Sequence, residues 1–531
     1  MSIVQALLLA LWVWIYRSGF CYPLFGYARQ PLVVGFVVGV VLGDIPNAMI
    51  AAVPLQLIYM GMINTGGNIP TDTCIGSIIG ISTALLTNAT VEEALTIAVP
   101  VGLLANQLMV LLYTVNGTWV HRAEANIAKG NINGFKLNAT LYPMLTAFVI
   151  YVPLLTLVFF QGPTFAQTLL NNLPEFVLKG LSAIGMVLPA LGFAVLLKTI
   201  ENKKYLAFFV GAYFVATTLA LFGQVNLTLY AVIGLVVAYL FVGTSDDEEG
   251  VDIQADSKID QTSLLDQSIV NKVWTRWWIF AEVPHSYERL MGLSFSYSML
   301  PALEVLYPDK EDLQDALLRH MNFFNTQAVW GGWIVGTTLS LEEQVAQTKK
   351  ENRNADIVTS TKIGLMGPLA GVGDSLDWGT LRSMVLALMI GFAAQGHGWA
   401  GILPVVLYMV ASYLYGGFFV NTSYTLGKNA VAKFLTSDKI NSLINMASVL
   451  GLIMSGILVS RFVKIVPSFT WTIEDKVWSL AGILDSILPG ILPFATVMGI
   501  YMYFDKKGLQ ITKALLYLTV GAFILGAIGI L

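Results

Sequence analysis

Charge is scarce in this sequence. Asp, Glu, Lys and Arg make up 12% of its 531 residues, against about 25% in an ordinary soluble domain. Hydrophobic residues make up 56%, and mean hydropathy is +0.70. A soluble globule of this length cannot hide so much apolar side chain, so the composition predicts a polytopic membrane protein, all-α in fold class. Cysteine is rarer still: Cys21 and Cys74 are too few for a disulfide framework. Four histidines stand singly at His121, His285, His320 and His397. Without an HExxH motif or paired Cys/His spacing they argue against a metal enzyme, and no cofactor is expected. The net charge of −4, with no basic domain, gives no support to a nucleic-acid partner. No phosphate-cradling glycine loop is present. "SIVQALLLALWVWIY" has no positive region before it and no small-residue cleavage site after it, so it reads as a first membrane helix rather than a leader.

What is present falls into two halves. Residues 1–242 are almost continuously apolar, and "KYLAFFVGAYFVATTLALFG" (204–223) and "VNLTLYAVIGLVVAYLFV" (225–242) are long enough to span a bilayer. Residues 243–267 are acidic, polar and free of aromatics, the composition of a linker. Residues 268–365 are amphipathic and richer in charge than the apolar blocks before and after them, and 366–531 form a second apolar block. In "PDKEDLQDALLRHMNFF" Leu313, Leu317 and Met321 recur at i, i+4 and i+8, one helical face, with Asp309, Glu311 and Asp312 favouring its first turn. Ser340 with Glu343 three residues on reads as a capping box opening another helix. Lys349, Lys350 and Arg353 predict that 268–365 is cytoplasmic.

Two stretches break the membrane pattern: "PLQLIYMGMINTGGNIPTDTC" (54–74) and "GLMGPLAGVGDSLDWGTLRS" (364–383). Each places Gly, Pro and amide or carboxylate side chains inside apolar sequence. Backbone freed from a helix at membrane depth must be buried in protein or line a wet cavity. Broken segments in corresponding places of two halves point to a transporter's binding site. The residues alone leave other uses open: an ion-coupled secondary transporter built on Asp72 or Asp374, a membrane enzyme using Asp374 and Asp377 as a carboxylate pair, a scaffold or receptor, or helix caps at the membrane edge.

The second half carries "SYERLMGLSFSYSMLPALEVLYP" (286–308), "LLRHMNFFNTQ" (317–327), "LEEQ" (341–344), "GLMGPLAGVGDSLDWGTLR" (364–382) and "ILDSILPGILP" (483–493). In that order they resemble the IID component of mannose-type sugar phosphotransferase permeases. "QPLVVGFVVGVVLGD" (30–44) and "PLQLIYMGMINTGGNIPTD" (54–72) resemble the partner IIC component. The resemblance implies a fused IIC–IID sugar permease in the bacterial cell membrane, with broken or re-entrant membrane helices in both halves. It implies a homotrimer that hands a hexose or hexose derivative to a separate cytoplasmic IIB protein, itself phosphorylated through IIA, so that the chain has no catalytic residue of its own. The sugar-site residues it implies are Gln56, Asn64 and Asp72 in the first half, and Asn325, Thr326, Gln327, Asp374 and Trp378 in the second, with His320 as a possible secondary member. Gln56 stands where mannose-specific relatives often have glutamate. Asp374 is the expected sugar-hydroxyl acceptor; Asp377 is expected to cap or pair locally.

Overall fold

The computed structural model describes all residues except 60–71, 88–93, 95–96, 99–100, 103, 173, 200–202, 222–226, 244–263, 351–352, 427–437, 464, 468, 474–475 and 509. The first half contains α1 (Ile3–Arg17), α2 (Tyr22–Tyr27), α3 (Pro31–Leu42), α4 (Ile45–Tyr59), α5 (Thr73–Leu86), α6 (Gln107–Ala128), α7 (Ile132–Ala139), α8 (Leu141–Asn172), α9 (Glu175–Thr199), α10 (Leu206–Ala220) and α11 (Leu227–Gly243). The second contains α12 (Gln267–Phe280), α13 (Gly292–Leu306), α14 (Lys310–His320), α15 (Gly332–Gln347), α16 (Asp356–Gly373), α17 (Arg382–Ala393), α18 (Trp399–Leu426), α19 (Asp438–Phe462), α20 (Leu480–Ile487), α21 (Ile491–Lys507) and α22 (Ile511–Ala527). A small antiparallel hairpin, β1 (Thr470–Ile473) and β2 (Lys476–Ser479), precedes α20.

Among the described residues, Ile132–Gly162, Asp356–Ala393 and Trp399–Leu426 are long and apolar enough to cross a membrane. Helices α20 and α21 meet at 81°, a broken span or re-entrant loop at the "ILDSILPGILP" motif. On α18, Val406, Val410, Leu414 and Phe418 form an exposed stripe four residues apart. Such an apolar stripe is at home in lipid and costly in water. The shorter apolar helix α1 buries one face, with Leu9 and Val13, and leaves Val4 and Leu8 exposed; its N-terminus is closed by a capping box between Ser2 and Gln5.

The halves do not stand apart. Helix α10 packs on α19, α9 on α22, and α3 on α18. One buried cluster mixes Leu55, Ile78 and Phe193 with Ile390, Leu458 and Phe504; a second mixes Tyr27 and Phe135 with Trp277, Phe324 and Trp378.

Three local expectations meet a different outcome. The "GLMGPLAGVGDSLDWGTLRS" stretch is not cut by its glycines and proline: α16 passes without interruption into a π-helical segment, Asp374–Leu381, and on into α17. Ser340 does not cap a helix, because α15 begins eight residues earlier, at Gly332. The amphipathic region is also less superficial than its charge suggests, since α13 and α15 are buried along most of their length. Asp309 does cap α14, accepting from the Glu311 and Asp312 amides.

Candidate functional site

Where α2 of the first half meets the π-helical segment of the second, the protein encloses a cavity of about 560 Å3, counting its open mouth. Its first-half wall includes Tyr22, Gly26 and Arg29 of α2 and its flank, and Tyr113 of α6. Its second-half wall includes Glu282, His285, Asn325, Thr326, Asp374 and Trp378.

Backbone strain collects at this junction. Within the described residues, the non-glycine residues with positive φ are Cys21 (φ 61) and Leu290 (φ 47). Cys21 precedes α2 and donates its N–H to the Ile279 carbonyl at 2.8 Å. Gly19, at φ +70, lies so close to the Glu282 carbonyl that a Cβ there would collide. Leu290 pairs with Phe324, beside Asn325. Held strain of this kind is usual where a site must be kept in one geometry.

The two aspartates of the π-helical segment have opposite surroundings. Asp377 is buried and saturated. It accepts from Gln327 Nε2 at 2.8 Å, Trp330 Nε1 at 3.1 Å, Tyr408 Oη at 2.7 Å and Tyr415 Oη at 2.5 Å. Asp374 lines the cavity and makes no side-chain hydrogen bond among the described residues. An extra residue per turn re-aims side chains relative to an α-helix, and π-helical segments are frequent at functional sites. Gly373, just before the segment, lets it approach Gln327, whose Cβ would be 2.6 Å from a Cβ at that position.

Trp378 forms a wall. Its ring packs between Tyr22 (centroids 5.6 Å apart) and Tyr408 (5.3 Å), and its Nε1 donates to Tyr22 Oη at 3.3 Å. The Arg382 guanidinium sits 5.3 Å from the ring centre. Gly26 makes room: any Cβ there would overlap the indole. Thr326 Oγ1 is buried without a partner among the described residues, and the Asn325 amide N–H points at Met366 Sδ, 3.1 Å away.

Thus Asn325, Thr326, Asp374 and Trp378 line one cavity. Gln327 lies behind it, donating to Asp377 and accepting from the Trp330 amide at 2.8 Å. Gln56 is buried in α4, accepting from the Leu32 amide and donating to Gln30 Oε1, each at 3.2 Å. Asp72 caps α5 and is taken up by Arg17 (2.5 Å) and Tyr16 (2.7 Å). Asn64 lies outside the described residues. His320 is packed against Phe295, with Nε2 2.9 Å from Glu342 Oε1 though off the line of a hydrogen bond. Sequence reading missed Tyr22, Arg29, Tyr113, Glu282 and His285. Arg29 and His285 alone carried a signal, as a cation and an imidazole within largely apolar sequence.

The cavity therefore offers a carboxylate and a hydroxyl without hydrogen-bond partners among the described residues, an arginine, a glutamate–histidine pair and an indole face. Acceptors and donors of this kind satisfy the hydroxyls of a polyol, and the indole covers an apolar C–H face. Among the described residues no group of three His, Cys, Asp or Glu is placed to hold a metal ion.

Comparison with known proteins covers nearly the whole chain. Residues 264–531 match the family model of the IID component of the mannose/fructose/sorbose phosphotransferase systems, and residues 3–240 match that of the sorbose-specific IIC component. The mannose-specific EIID component of Escherichia coli (strain K12) is 34% identical over 275 residues, 50% of this chain and 93% of its own. The fructose permease IIC component of Bacillus subtilis (strain 168) is 28% identical over 216 residues, 41% of this chain and 78% of its own. A chain in the cryo-EM structure of the mannose transporter ManYZ with microcin E492 is 31% identical, covering 51% of this chain and 99% of its own, at a TM-score of 0.30.

Proposed function

This chain belongs to the mannose/fructose/sorbose family of phosphotransferase-system permeases, with IIC-type and IID-type parts in one polypeptide, and from that premise we propose that the cavity between its halves holds the sugar it carries. The protein is an integral component of the cytoplasmic membrane that takes up a sugar for phosphorylation. Its partners are that sugar and the cytoplasmic IIA and IIB proteins. We place the IIC-type part at 1–242, the joining segment at 243–267 and the IID-type part at 268–531, and we propose that three copies assemble, as the family resemblance implies.

One observation carries the site reading. Asp374 sits in a cavity walled by both halves and has no side-chain hydrogen bond among the described residues, while its neighbour Asp377 is fully engaged. A carboxylate kept at membrane depth is costly, by about 2.5–3.5 kcal/mol on insertion scales, so an unpaired one calls for a ligand. A hexose hydroxyl donating to it would contribute about 1.5–3 kcal/mol. Asn325, Thr326 and Trp378 complete the second-half wall; Gln56, Asp72 and Gln327 belong to the surrounding layer or to the approach, and His320 to the packing behind it.

Asp374→Asn should lower uptake roughly tenfold or more, since about 1.4 kcal/mol is a factor of ten, while the complex assembles at normal size. The assay is radiolabelled sugar uptake in cells containing the phosphorelay, with size measurement of the purified protein. Uptake at the wild-type rate would sink the assignment. Uptake driven by an ion gradient alone, with no IIA or IIB present, would favour a secondary transporter instead.

A further inference from the structure

Glu282 and His285 lie in the turn after α12, outside the motifs that identify the family. The turn is fixed by α6 of the first half. Asn116 Nδ2 donates to the His285 carbonyl at 2.9 Å, and the Tyr113 ring stacks on the imidazole with centroids 4.5 Å apart. Nδ1 lies 2.7 Å from Glu282 Oε2 but outside hydrogen-bond geometry, and Nε2 too has no hydrogen-bond partner among the described residues. Yet His285 is only 3% exposed, and both side chains line the cavity. A buried polar atom without a partner is unfavourable, and a ligand or an ordered water must satisfy it.

We propose that the Glu282–His285 pair reads one particular hydroxyl of the bound sugar, a specificity-determining contact distinct from Asp374. The Glu282 carboxylate beside Nδ1 favours the imidazole proton on that nitrogen, which leaves Nε2 a lone-pair acceptor on a residue that lines the cavity. Nε2 then takes the hydrogen of one hydroxyl while Asp374 takes another. Because the two acceptors are fixed by different elements, a turn and the π-helical segment, they select the spacing of two hydroxyls on the ring. This inference rests on the cavity being the sugar site.

The test uses the purified full chain. Binding of D-mannose, D-glucose, D-fructose and L-sorbose is measured by calorimetry, and the tightest binder is then compared with its monodeoxy analogues. His285→Gln places an amide near the position of Nε2; His285→Asn places one near Nδ1 and leaves the Nε2 position empty. We expect one deoxy analogue to bind wild type roughly tenfold more weakly than its parent, as loss of one hydrogen bond to a buried acceptor implies. On His285→Asn the same analogue and its parent should bind equally, while the other analogues keep their wild-type ratios. His285→Gln should retain part of the discrimination. Equal losses for every analogue on His285→Asn, or unchanged discrimination, would overturn the proposal; the latter would mean that water satisfies Nε2. If His285→Asn does not assemble, Glu282→Gln, which releases the tautomer, is read on the same analogues with the same criteria. Wild type that binds none of the four sugars would count against the cavity reading itself, whereas normal dependence on Asp374 with no role for His285 would remove only the pair.

Discussion

Asp374 and Asp377 stand three positions apart, and their chemistry differs because their partners do. Asp377 receives donors from the segment before α15 and from α18. Its task is to fix the π-helical segment, so that Asp374 and Trp378 face the cavity. Asp377→Asn replaces an acceptor oxygen with an amide donor against a set of donors. We expect a loss of roughly 1–3 kcal/mol in stability, seen as a lower thermal midpoint, with sugar affinity of the folded fraction little changed. A tenfold loss of affinity at unchanged thermal midpoint would make Asp377 a sugar contact. Both carboxylates were legible in the sequence as unusual, and the family resemblance singled out Asp374 as the acceptor; what engages Asp377 was not legible, because Tyr408 and Tyr415 lie 31 and 38 positions away. Asp72 illustrates the same point: Arg17, 55 positions distant, occupies it. Spacing along the chain reveals residue types, whereas long-range partners decide whether they remain available.

At the scale of elements, helices were more legible than their ends and interruptions. The face shared by Leu313, Leu317 and Met321 corresponds to α14, with Leu317 and Met321 buried. The glycines and proline of 364–373 were read as a break, yet no glycine there has positive φ and the helix continues. The irregularity is a π-helical segment, for which sequence has no strong marker. The capping pattern at Ser340 failed because the apolar run before it, "GGWIVGTTL", extends the helix upstream. Between α14 and α15 the Glu342 carboxylate accepts from Arg319 at 2.8 and 3.1 Å and from Tyr307 Oη at 2.6 Å. Burial works against its ionisation, but the contacts with His320 and Arg319 prevail and hold its carboxyl well below the usual range. Burial pushes the His320 imidazole down to about 4 despite the pull of Glu342. The folded protein therefore keeps His320 neutral where the unfolded chain, titrating near 6.5, takes up a proton. Stability should fall as pH drops from 6.5 towards 4, by at most about 1.4 kcal/mol per pH unit from this group. Thermal midpoints of wild type between pH 7.5 and 5 should decline more steeply than those of His320→Gln; parallel slopes would show that His320 does not contribute.

For the whole molecule, composition alone indicated a helical membrane protein, and the motifs indicated both component types. How the halves interlock was not legible, since neither the shared clusters nor the α2 wall of the cavity follows from periodicity. The basic cluster at Lys349, Lys350 and Arg353 predicts that the 268–365 helices face the cytoplasm. Asn354 is exposed, and Cys21 and Cys74 are buried. A cysteine at position 354 should therefore react with an impermeant maleimide only after cells are permeabilised; labelling in intact cells would reverse the topology. The central claim is that sugar is held between the halves, and the most direct measurement is a cryo-EM map of the purified chain with its bound hexose. The sugar should lie in the cavity against Trp378, with one hydroxyl within hydrogen-bond distance of the Asp374 carboxylate. A sugar bound elsewhere, with this cavity filled only by water, would contradict the account.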